Sequence, residues 1–220
     1  SISAGPVWGN LIGVVSRSRL WKRKGRGDVS EFETRLDAIH RTLVQITRNL
    51  SRLGYRFAEP QGVLPGVEPG TAEAIERLER EAGVVPRALK LFWLRIGSVN
   101  LNGSHPDWDG CDYPDALIVY PPSGAIYELD EFLADREERM KCDCPYVIPI
   151  APDSYHKADV SGGMWYNIDV PAVADDPPLN DEPHETTFLT YLEIALRSGG
   201  FPGLESAEGH TWPLQAILQS

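Results

Sequence analysis

Between Phe32 and Leu53 the apolar residues fall at alternating steps of four and three: Phe32, Leu36, Ile39, Leu43, Ile46, Leu50 and Leu53. In a helix such spacing gathers all seven on one narrow stripe, so the segment from Asp28 to Gly54 is expected to be a long amphipathic helix. Ser30 and Glu33 read as a capping-box pair at its start, and Gly54 as its stop. The stripe suits packing on the chain's own core and leaves open a homodimer through residues 30–53.

Further along, Ile75, Leu78 and Ala82 follow Thr71, which reads as an N-cap, and Glu76 and Arg80 are expected to pair on that helix's surface. Pro86 opens another helix at a position that tolerates a missing N–H; Leu89, Phe92, Trp93 and Ile96 line it, and Gly97 closes it. Phe188, Leu189, Leu192, Ile194, Ala195 and Leu196 make a later one, broken by Gly199 and Gly200. A charged surface helix is expected over Glu128–Arg139 and a short one in the tail from His210 to Ser220. The runs 55–58, 98–101, 116–120, 146–151 and 164–170 are too short for anything but strands.

Charge divides the chain. Residues 1–60 hold 11 Lys+Arg and 5 Asp+Glu, residues 61–220 hold 10 and 27, and the net charge is −11. Three segments follow: a basic arm over 1–27, the amphipathic helix with a short strand over 28–60, and an acidic domain over 61–220. The body's field repels nucleic acid and attracts basic partners, whereas Arg17, Arg19, Lys22, Arg23, Lys24 and Arg26, with Trp21 among them, could meet phosphates, a membrane surface or the acidic body itself. Ser1 is expected to be a processed or tag-derived end. No run approaches the roughly 18 apolar residues of a spanning helix, and no cofactor motif is present. Three cysteines, with Cys142 and Cys144 one residue apart, lack the spacing of a redox pair or of a structural zinc site, which points to a reducing, cytoplasmic setting.

The phrases VPRALKLFWLRIGSVNLNG (85–103) and FLTYLEIALRSGGFPGLE (188–205) resemble the SUKH superfamily, the Smi/Knr-like domain of many bacterial immunity proteins, over roughly residues 61–207. The resemblance implies an α+β fold, a small mixed and mainly antiparallel sheet flanked by helices, to which the long N-terminal helix is added. It also implies a non-catalytic protein-binding domain that neutralises a toxin, of nuclease type, by direct contact. An acidic body suits a basic partner of that kind.

Two loop phrases carry the remaining chemistry, SHPDWDG and YHKADVSGG. His105, Asp107, Trp108 and Asp109 from the first, with His156, Lys157 and Asp159 from the second, are the candidate binding residues, because both loops are expected to leave the same end of the sheet. The bland alternative is that each loop satisfies its own backbone through Asp and His side chains. Trp108 suits either a surface position or one tucked over a strand edge. A rival reading is an enzyme that gathers the His105 and His156 loops, together with His184, around a metal or an anion. Neither His105-x-Asp107 nor His156-x-x-Asp159 matches a tight metal motif, and no phosphate loop or nucleophile elbow is present. A third is an oligomeric scaffold or regulator that works through the heptad helix.

Overall fold

The apolar stripe organises the molecule. The helix that bears it, α1 (Arg26–Arg52), lies across α3 (Arg87–Arg95), α6 (Phe188–Arg197) and α7 (Leu214–Leu218). Leu36, Leu43, Ile46 and Leu50 are 0% exposed there, and each such burial is worth about 1.5–3 kcal/mol. The computed structural model describes residues 26–135 and 145–219, with side chains from residue 31 onward. The run Arg17–Lys24, the cysteines 142 and 144 and the end of the helix expected over 128–139 lie outside them.

Local boundaries depart from the sequence reading for identifiable reasons. Helix α1 begins four residues before Ser30, so Ser30 is interior to it and cannot be its N-cap. In α2 (Thr71–Glu81) the N-cap is Gly70, because the Thr71 hydroxyl donates backwards to the Glu68 carbonyl at 2.8 Å instead of accepting from the helix. On its surface Arg80 pairs with the adjacent Glu81 and Arg77 with Glu81 and Asp130. Pro86 is the N-cap of α3. Helix α4 (Pro122–Ala134) starts six residues before Glu128: Pro122 supplies a first turn that needs no N–H, and Ala125 and Leu129 turn inward. At the end of α3, Gly97 has φ +91°, and a Cβ there would lie 1.9 Å from the Gly66 carbonyl oxygen, so only glycine fits.

The strands form three antiparallel pairs rather than one ladder. β1 (Arg56–Phe57) pairs with β3 (Gly103–Ser104), β2 (Val99–Asn100) with β4 (Ile118–Val119), and β5 (Val147–Ala151) with β6 (Tyr166–Asp169). Asparagine side chains separate β2 from β3: the Asn100 amide oxygen accepts the Asn102 N–H and that of Asn102 accepts the Gly103 N–H, taking donors a ladder would use. Pro149 lacks a donor, and the β5–β6 register shifts between it and Ala151. Single backbone bonds still join the pairs, Ala58 N–H to Asn102 at 2.8 Å and Tyr120 N–H to Ile150 at 2.8 Å. Helices α2 and α4 pack together beside this sheet. The chain is α+β, and residues 32–57, read from sequence as a separate segment, contribute to the same core as the acidic part.

Candidate functional site

His105 is fixed by two backbone contacts. Its Nδ1 accepts the Asp107 N–H at 3.1 Å, which leaves the proton on Nε2, 2.9 Å from the Leu53 carbonyl. Trp108 stacks on this imidazole, with centroids 4.4 Å apart and planes at 17°, and its other ring neighbours are Tyr55 and Trp212. It is half-buried against the core, so the tucked alternative describes it. Thr211 clamps the loop to the tail: its hydroxyl accepts the Asp109 N–H at 2.6 Å and donates to the Asp107 carbonyl, and its own N–H donates to the Asp109 carbonyl. The Asp107 and Asp109 carboxylates stay exposed.

The second loop contains the short helix α5 (Ser154–Lys157). Asp153 caps it, accepting the His156 N–H at 2.9 Å and contacting His156 Nδ1 at 2.5 Å. Gly163 (φ +73°) lies over that carboxylate, and a Cβ there would be 1.4 Å from Asp153 Oδ2. His156 and Asp159 are exposed, and Asp159 is left-handed with φ +60°. Lys157 faces inward. Its side chain is 2% exposed, with Nζ 2.5 Å from Asp115 Oδ1 and 4.7 Å from the Tyr166 ring centre.

Asp115, Tyr166, Glu182 and Tyr191 stand out in no sequence pattern, although they define the buried end of this region. Asp115 (φ +53°) also accepts from the Tyr166 hydroxyl at 3.3 Å. Burial holds Lys157 below the usual lysine range while Asp115 pulls it back up, and burial raises the Tyr166 and Tyr191 phenols. The Tyr191 hydroxyl has no hydrogen-bond partner and sits in the field of Asp115, Tyr166 and Glu182. Glu182 is 3% exposed and is pushed up by burial, with His184 opposing. His184 bridges two carboxylates, Nδ1 to Glu182 and Nε2 to Glu205 at 3.4 Å. One signal was available: after Lys141 the sequence has only Lys157 and Arg197 as strong cations, so an inward lysine had many carboxylates to find.

The two loops meet through Lys157, which belongs to the predicted set, and through Tyr113, Asp115 and Tyr155, which do not. Tyr113 packs edge-on against Tyr155, centroids 4.9 Å apart, and Asp115 reaches Lys157. The Gly203 N–H donates to the Pro114 carbonyl at 3.0 Å, bringing in the segment after α6. Between them opens a cleft of about 340 Å³ lined by Tyr113, Asp115, Ser154, His184, Gly203 and Glu205. His105 to Asp109 lie further back on the same loop, tied to Leu53 and Thr211. Among the described residues no group of three or more His, Cys, Asp or Glu is arranged to hold a metal ion, and no helix is long and apolar enough to cross a membrane. No protein-family model, curated protein or solved structure matches the chain.

Proposed function

We propose that this chain is a protein-binding domain that engages a basic partner, with toxin neutralisation as the form of binding the SUKH resemblance favours. The observation that carries the reading is an acidic face on which exposed carboxylates outnumber cations, with exposed Arg56, opposite Ser104 across β1–β3, at its edge. Exposed Asp107, Asp109 and Asp112 lie on the loop, and exposed Glu205 and Glu208 lie on the segment hydrogen-bonded to it. After Arg95 the described residues include only two Lys or Arg, Arg197 at the end of α6 and Lys157, which is buried against Asp115. Such a face speeds encounter with a positive surface and makes it salt-dependent. Asp107, Asp109, His156 and Asp159 are the contact residues in this reading; Lys157 anchors Asp115 beneath them, and His105 and Trp108 hold the loop to the core.

The test is isolation of a complex from the native host at low salt. The expected result is a stoichiometric complex with a basic protein that weakens when salt rises from about 50 to 300 mM, as contacts beyond a Debye length are screened, and an Asp107→Asn/Asp109→Asn/Asp112→Asn variant that binds more weakly. Recovery of no protein partner, combined with substrate turnover by the purified chain, would overturn the reading.

A further inference from the structure

We propose that the cleft between Tyr113, His184 and Glu205 is an arginine-accepting pocket, the place where a guanidinium of the basic partner inserts. This rests on the protein-binding reading and gives it a point of contact. Four observations converge. The cleft, at about 340 Å³, falls in the range of small-molecule sites and has room for one long side chain. Its lining includes Tyr113, 39% exposed and packed edge to face on Tyr155 beside it, which offers ring surface on which a planar cation can stack. Glu205 presents a carboxylate whose side chain is 44% exposed; its neighbours are Ser198 Oγ at 3.2 Å and His184 Nε2 at 3.4 Å, leaving it able to accept a forked donor.

The fourth observation lies behind the lining. The Tyr191 hydroxyl is 0% exposed and unpartnered, and it shares the field of Asp115 and Glu182, two residues that hold the inner wall, Asp115 directly and Glu182 through His184. A buried phenol without a hydrogen-bond partner leaves an uncommitted polar group behind this wall. The ionisable groups near the cleft are the carboxylates of Asp115, Asp153, Glu182 and Glu205 against the Lys157 ammonium, already engaged by Asp115, and the His156 and His184 imidazoles, held by Asp153 and by Glu182 and Glu205; carboxylates predominate. An anion would meet repulsion here. Arginine suits the site better than lysine because its fork matches a carboxylate and its plane matches a ring.

The experiment is an NMR titration of the full chain with a blocked Gly-Arg-Gly peptide, alongside the matching citrulline peptide, which has the same shape and no charge, and the lysine peptide. Saturable shifts at the Ser154, His184, Gly203 and Glu205 amides with the arginine peptide, absent with citrulline and weaker with lysine, are expected. Glu205→Gln and Tyr113→Ala should each weaken the arginine peptide about fivefold, the effect of one exposed ion pair or cation–π contact, while melting like the parent. No saturable binding, equal binding of citrulline, or indifference to both variants would overturn the proposal. If a basic protein partner is captured whose affinity neither variant changes, the pocket fails while the protein-binding reading stands. If no partner exists, the peptide titration still decides the pocket by itself.

Discussion

Lys157 has lost nearly all its water and is compensated by Asp115 and the Tyr166 ring. Removing it leaves a carboxylate buried with only a phenol as donor. Lys157→Ala is therefore expected to cost about 3–5 kcal/mol in urea denaturation, whereas Asp115→Asn/Lys157→Met, which removes both charges and keeps the volume, should cost clearly less. Asparagine tolerates the left-handed backbone at 115, so the double variant adds no strain. Equal losses would mean that the pair is not the source of the penalty. Glu182 gives a pH prediction. Burial raises its carboxyl in the folded state, so the folded chain holds this proton to higher pH than the unfolded chain and loses stability as pH climbs from about 4. Glu182→Gln cannot ionise, so its melting temperature relative to the parent should rise between pH 4 and 7; a flat or falling difference would reverse the assignment.

At the scale of elements, the seam of α1 is the strongest feature. Leu43 is 0% exposed, and an aspartate there would place a charge among apolar side chains. Leu43→Asp is expected to lose at least about 3 kcal/mol, or to unfold, as judged by thermal melting; an unchanged melting temperature would show the stripe is not buried. Because α3, α6 and α7 occupy the stripe, contact with a second copy would have to use other positions, such as the exposed Val44. Periodicity alone made this helix and its burial legible. The caps were less so: a capping-box pattern at Ser30 and Glu33 cannot tell a helix start from a position inside a helix that extends upstream. The sheet was legible as strands and not as pairs, because the asparagines that interrupt β2 and β3 act through side-chain geometry that a hydrophobic pattern does not record.

For the whole molecule, the acidic body was readable from composition, while the meeting of residues 113–115 with 155–157 was not, since it depends on contacts roughly 42 positions apart in sequence. Tyr113 and Asp115 lie just beyond the SHPDWDG phrase, and their importance comes from what the fold brings to them. A net charge of −11 implies self-repulsion. Its exposed ion pairs, such as Arg77–Asp130 and Arg95–Asp37, are each worth at most about 1 kcal/mol, so screening of the repulsion should outweigh their loss. Raising salt from about 20 to 200 mM is expected to raise the melting temperature of the free chain, and a decrease would place the stability in those pairs instead.

The Asn49 side chain donates to the Ile217 carbonyl, 168 positions later, at 2.9 Å. That bond bears on the order in which the protein is made. The apolar face of α1 is synthesised well before α7, which supplies part of its cover from 168 positions further on, and an isolated helix of this kind is marginal in water. A chain emerging from the ribosome would carry an incompletely covered apolar stripe, a substrate for chaperones, until α6 and α7 follow α3 out. In refolding followed by pulsed hydrogen exchange, the amides of α1 should reach full protection in the same step as those of α7, and never ahead of them.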